Sequence, residues 1–231
     1  MKIKRFYKQA GVAEAEGGFA VTLDGRSVRT PMGQPLTLPS RGLAEAIAEE
    51  WGAQAQEVAP ETMPCMQLAS TALDRIEAQK DEIIGQLMKY AGTDLLCYRA
   101  DQPQELIKRQ DILWQPLLDW VAARWGVQMA VTRGIIPVEQ SPEAIDSLRQ
   151  VVLAYDNWQL SALQSATAAA GSLIIALALV EGRLSAAEAF AVSQVDETWQ
   201  IEQWGEDPEA TRRRAALEAD VHGAARFLSL L

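Results

Sequence analysis

Residues 172–188 read SLIIALALVEGRLSAAE, and this stretch decides the fold class. Leu173 to Glu181 is apolar on every side apart from its last residue, the pattern of a helix buried all round. Gly182 can end that helix with a positive φ. Ser185 and Glu188 then stand at capping-box spacing and start the next helix. The whole apolar run, Ala166 to Val180, is shorter than the roughly 20 residues that span a bilayer, and it carries Thr167, Gly171 and Ser172. It reads as a core helix, with no membrane insertion. Ser141-Pro142-Glu143 joins a cap to a first-turn proline, Asp156 with Gln159 resembles a capping box, and Asp207-Pro208 opens the last helix. Starts this closely spaced predict a C-terminal helical bundle.

Upstream, Ile76 to Tyr90 keeps a helical period through Ile83, Leu87 and Tyr90, and Leu106 to Trp125 reads as a helix bent at Pro116. Leu95 to Tyr98 and Val127 to Thr132 are short strand candidates that could pair with each other. The first third differs. Phe19, Val21 and Leu23 alternate with Ala20 and Thr22, and Asp24-Gly25 precedes Arg26 to Thr30, which is the signal of a tight hairpin. Pro31, Gly33, Pro35 and Pro39 mark a loop-rich stretch. Ser40 then caps a helix with Leu43, Ala44, Ile47 and Trp51 on one face. The fold class is therefore α+β. A small strand-rich N-terminal domain (1–75) is followed by a larger, mainly helical C-terminal bundle (76–231), and the strands near 95–98 and 127–132 are able to join the N-terminal sheet.

Composition narrows the function. The 231 residues carry a net charge of −10, which disfavours nucleic acid, since phosphate binding needs a concentrated basic face. Lys2, Lys4, Arg5 and Lys8 form a locally basic start that reads as a solvated edge strand. That start has no apolar run behind it and is not a secretory signal. Cys65 and Cys97 are too few for a disulfide framework or a metal knuckle, and fit buried thiols in a reducing compartment. His222 is the one histidine, so neither a zinc site nor a Ser-His-Asp triad can be assembled convincingly. No phosphate loop, dinucleotide fingerprint or nucleophile elbow is present. Asp196-Glu197 and Glu206-Asp207 are adjacent acids, and helical neighbours point about 100° apart, so neither pair alone faces a substrate across a cleft. These residues imply no cofactor, no metal and no small-molecule substrate.

Several stretches together resemble one family. They are Arg5-Phe6-Tyr7-Lys8, Leu23-Asp24-Gly25-Arg26 with Thr30-Pro31, Leu38-Pro39-Ser40, Glu50-Trp51 with Gln54, and Met63-Pro64 leading to Leu73-Asp74. Further on come Thr93 to Arg99, Gln110 with Trp114 to Leu118, Asp196-Glu197 with Gln200, and Trp204 to Asp207. Their order and spacing are similar to those of the assembly chaperones that hold the alpha subunit of the F-type ATP synthase catalytic head. The resemblance implies binding instead of catalysis: a cover for an alpha subunit that still lacks its beta neighbour, working without ATP. It also implies the cytoplasm for a bacterial form, or the mitochondrial matrix for a mature eukaryotic chain; the absence of an Arg-rich presequence favours the bacterial form or a mature chain.

In that family an acidic residue of the helix read here from Ser185 to Trp204 is functionally important. Leu184, Ala187, Phe190, Ala191, Val195 and Trp199 form its apolar stripe, with Glu197 on the rim and Asp196 outside. The partner-binding candidates are Glu197, then Asp196, with Trp204, Phe190 and Trp51. Each has a plainer reading: the acids as a solvated helix end, and Trp51 as core beside Leu43 and Ile47. A carboxylate hydrolase and an acidic adaptor for some other protein are the competing functions.

Overall fold

The computed structural model describes residues 3–231; Lys2 of the basic start lies outside them. Helix takes 62% and strand 11%, so helices dominate an α+β fold. The chain divides into two compact units. The first contains the chain up to Lys80, Asn157–Ala162 and Gly223–Leu231; the second contains Asp81–Asp156 and Leu163–His222.

The first unit begins with β1 (Ile3–Lys4), β2 (Ala10–Ala15), β3 (Gly18–Leu23), β4 (Arg26–Ser27) and β5 (Thr37–Leu38). β3 pairs antiparallel with β2, β4 and β5. At the hairpin tip Asp24 and Gly25 both take positive φ, 47° and 80°, as a two-residue turn of this hand demands. The Asp24 carboxylate also accepts the backbone N–H groups of Lys8 and Gln9, which ties the strand entry to the turn. In α1 (Arg41–Gly52) the Ser40 hydroxyl accepts the Leu43 N–H at 3.0 Å. Leu43, Ala44 and Ile47 are buried, and α1 packs on β2 and β3. Burying Leu43 and Ile47 contributes about 1.5–3 kcal/mol each.

β6 (Glu57–Val58) pairs antiparallel with β1, whose residues are exposed, so of the described basic residues Lys4 lies in a solvated strand, while Arg5 and Lys8 follow it outside any strand. The following α2 (Pro64–Thr71) has its N-terminus closed by Glu50, whose carboxylate accepts the N–H groups of Cys65 and Met66 at 2.8 and 2.9 Å. A π-turn at Ala72–Ile76 leads into α3 (Glu77–Gly92). The chain segments 157–162 and 223–231 complete this unit. The Ser161 hydroxyl donates to the Leu68 carbonyl, the Ser40 hydroxyl to that of Leu230, and Arg226 pairs with Glu49. Gly223 approaches α2 so closely that a Cβ there would lie 2.7 Å from Cβ of Pro64.

In the second unit the two strand candidates need correcting. Leu95–Cys97 is a 3₁₀ turn, followed by β7 (Tyr98–Arg99). The Asp94 carboxylate takes the Leu96 N–H at 3.1 Å, a donor that a strand would need for its ladder. After α4 (Gln104–Trp125), which runs through Pro116, the strand is only β8 (Thr132–Arg133). Ala130 is kept out because both its backbone groups bond the side-chain amide of Gln140 at 2.9 Å. β7 and β8 do pair, in parallel, and form a separate two-stranded sheet.

The rest is helical: α5 (Pro142–Leu153), α6 (Asn157–Ala170), α7 (Leu173–Val180), α8 (Ala186–Ser193), α9 (Val195–Trp204) and α10 (Pro208–Ser229). Ser141 caps α5, Ser185 and Glu188 close the capping box of α8, and Asp207 accepts the Glu209 and Ala210 N–H groups ahead of α10. Leu173 to Leu179 are all buried, and α7 packs against α4 and α8. The helix expected from Ser185 to Trp204 is two helices, interrupted at Gln194 (φ −106°, ψ 22°).

Candidate partner-binding site

The interruption at Gln194 resets the helical phase, and this decides which acid faces inward. Asp196 is half-buried and accepts a 2.7 Å hydrogen bond from Nε2 of Gln110, while Glu197 is exposed. A continuous helix would place them the other way round, as the wheel over Ser185 to Trp204 did. Gln110 is 1% exposed, and its Oε1 accepts the Ala100 N–H at 2.8 Å, so its amide has one orientation. Burial raises the pKa of Asp196; the Gln110 bond works against that, and neighbouring Glu197 adds to it. Among the described residues no lysine or arginine pairs with Asp196.

Asp196 and Trp204 line one groove of about 370 Å³, together with Tyr98, Pro103, Leu106 and Trp199. Trp204 is 79% exposed. From α4 the Arg109 guanidinium reaches α9, where it lies 5.2 Å from the Trp199 ring centre and bonds both oxygens of Glu202, at 2.8 and 2.9 Å. That bond holds the Glu202 carboxyl below its usual pKa.

Glu197 lines a different groove, of about 350 Å³, with Ala168 to Gly171, Arg213 and Arg214. Arg214 donates to the Thr198 hydroxyl at 3.0 Å and covers the Phe190 ring. Phe190 is only 7% exposed, so it braces the surface from beneath.

In the first unit Trp51 is half-buried. Its ring meets Tyr7 edge-on at 5.6 Å, and its carbonyl accepts the Tyr7 hydroxyl. Its Nε1 is buried without a hydrogen-bond partner among the described residues. It borders an apolar groove of about 670 Å³ rich in methionine (Met32, Met63, Met66), which the sequence reading did not anticipate. Met63 and Met66 stand one helical turn apart at the start of α2, but Met32 lies some thirty residues upstream and no local spacing links it to them.

Ile112, Ile135 and Ile136 are further exposed apolar side chains of the second unit. Each of the three grooves carries a single carboxylate, Asp196, Glu197 or Asp74, so none provides the two facing acids of a glycoside-hydrolase mechanism. Among the described residues no three His, Cys, Asp or Glu side chains gather to hold a metal ion, and no helix is long and apolar enough to cross a membrane.

Comparison with known proteins decides the family. The model described as ATP12 chaperone protein matches residues 4–122, more than half of the chain. The chain belongs to the ATP12 chaperone family. Its fold superposes on the crystal structure of Atp12 from Paracoccus denitrificans with a TM-score of 0.91 at 42% identity, covering 99% of this chain and 98% of that one. A solved variant of the Paracoccus protein, with one aspartate changed to lysine, matches at 41% identity and TM-score 0.91, over 99% and 97% of the two chains. The mitochondrial Atp12 protein of Schizosaccharomyces pombe is 28% identical over 214 residues, 87% of this chain and 74% of that protein. This ATP12-family chain is accordingly a chaperone of F1 alpha-subunit assembly and not an enzyme.

Much of the family pattern has a structural role in this ATP12 fold. Asp74 accepts the Thr30 hydroxyl and the Met32 N–H, Gln54 holds the loop through Ala59 and Thr62, and Trp114 donates its indole N–H to the Val192 carbonyl. Sequence reading missed these pairs because most partners lie tens of residues apart.

Proposed function

We propose that the chain grips the unassembled alpha subunit of the F-type ATP synthase head through the α9 surface, keeps it soluble, and releases it when beta subunits take up the same interface. An unassembled subunit with an uncovered apolar interface is prone to aggregate, and a transient cover removes that hazard. The observation that carries the reading is Trp204, 79% exposed and lining the same groove as the half-buried Asp196, on a chain of a chaperone family. A large solvated indole contributes little to its own fold, and tryptophan is a favoured interface anchor. Glu197, exposed on the same helix, supplies a second charge for register. Trp51 belongs with the packing of the first unit, given its contacts with Tyr7. Greater identity to the bacterial relative than to the mitochondrial one supports a bacterial cytoplasmic setting.

Co-expression with alpha subunit alone tests this. Soluble alpha subunit should rise with the chain present and co-purify with it, and added beta subunit should displace the chain. Equal solubility of alpha subunit with and without the chain overturns the reading.

A further inference from the structure

We propose that the groove between Asp196 and Trp204 receives an arginine side chain of the client, the carboxylate pairing with the guanidinium and the indole covering its stem. This rests on the reading that the alpha subunit is the client.

Asp196 is the starting point. A carboxylate can accept about four hydrogen bonds, and this one receives a single side-chain bond, from the neutral amide of Gln110. It is half-buried in the first turn of α9 and has no cation paired with it among the described residues, so it is available to draw in a positive charge. Two other charged residues stand nearby. Arg99 lines the groove, but its guanidinium is taken by Asp111, Gln115 and the Leu96 carbonyl. Glu197, adjacent to Asp196, adds negative charge.

The same helix already takes part in this chemistry once, with the arginine supplied by α4. Arg109 sits over Trp199 and bonds both oxygens of Glu202, so indole, guanidinium and carboxylate are combined there within the chain. Asp196 and Trp204 bring an acid and an indole to one groove at a wider spacing, and among the described residues no cation pairs with either. Among the described residues Trp204 makes no ring–ring or cation–π contact. Eight residues of helix separate the two Cα atoms by about 12 Å along the axis, helical side chains lean toward the N-terminus, and both side chains line the one groove. A space of about 370 Å³ suits a side chain better than a helix or strand. Arginine fits better than lysine, because its planar, weakly hydrated guanidinium both stacks on indole and pairs with two carboxylate oxygens.

The test measures alpha-subunit binding to wild type, Asp196→Asn and Trp204→Ala by titration calorimetry, with circular dichroism confirming the fold. Asp196→Asn retains an oxygen for Gln110. Each substitution should weaken binding ten-fold or more, and Asp196→Asn should also flatten the salt dependence. In parallel, arginine methyl ester should shift the Trp204 indole N–H resonance, identified by its loss in Trp204→Phe, while lysine methyl ester at equal concentration should shift it far less. Failure of wild type to bind alpha subunit overturns the client reading. Tight wild-type binding with Asp196→Asn unchanged, or equal shifts from both esters, overturns the arginine slot and leaves the client reading standing.

Discussion

Gln110 of α4 and Asp196 of α9 are joined by one hydrogen bond of 2.7 Å, and its donor is held from behind by the backbone of Ala100. The bond therefore fixes both the face that α9 presents and the loop ahead of α4. Gln110→Leu should leave the Ala100 N–H and the Asp196 carboxylate without this partner. At about 1–3 kcal/mol for each buried group left unsatisfied, the variant should lose about 2–4 kcal/mol in urea unfolding. A loss under about 0.5 kcal/mol would show that water replaces the amide.

Asp94 gives a pH dependence of definite sign. It is completely buried and accepts bonds from Leu96, Ser172 and Ile174, yet burial raises its pKa to about 6. Its unfolded value is near 3.9, so the folded state binds more protons between about pH 4 and pH 6. The associated stabilisation is present below about pH 4 and lost as pH rises through about 6. The stability of wild type relative to Asp94→Asn should fall across that window by on the order of 2–3 kcal/mol. Chemical denaturation at several pH values checks it, and parallel curves would refute it.

The capping box of α8 offers a simpler measurement. Ser185→Ala removes the acceptor for the Glu188 N–H and the hydroxyl that bonds the Glu188 carboxylate. The cost should be about 1 kcal/mol, which for a chain of this size is a drop of roughly 2–4 °C in Tm. Scanning calorimetry decides it.

Cys65 and Cys97 should resist thiol reagents at pH 8 in the native state. Both are fully buried, and burial pushes each thiol up to about 12. Glu50→Ala should speed labelling of Cys65 selectively, because it releases the two N–H groups that Glu50 holds at the start of α2. Equal acceleration at Cys97 would indicate global unfolding instead.

Glu197→Lys should leave the urea midpoint within about 0.5 kcal/mol of wild type, as surface substitutions generally do. It should also weaken alpha-subunit binding, by placing a third cation beside Arg213 and Arg214. Unchanged affinity with an intact spectrum would remove Glu197 from the interface.

What the sequence disclosed, and what it hid, follows from the range of the interactions. The Asp24-Gly25 turn, the caps at Ser40, Ser141 and Ser185 and the stop at Gly182 are decided within a few residues, and all were legible. The strand assignment at 95–98 failed because Asp94 bonds Leu96 and, far along the chain, Ser172. The orientation of Asp196 was misread because an interruption at Gln194, which no proline or glycine announces, turns the helix. Family motifs flagged Glu50, Asp74, Gln110 and Trp114 by position, but their function as fasteners appears only when their distant partners are brought together.

The completion of the first unit by residues 223–231 has a consequence for biosynthesis. A ribosome adds about 5–20 residues each second, so the early sheet and α1 emerge well before Leu230 can meet Ser40 or Arg226 can meet Glu49. The nascent sheet must wait, partly uncovered, until the last turns of α10 leave the exit tunnel. A protein that shelters another subunit thus passes through its own exposed interval during translation.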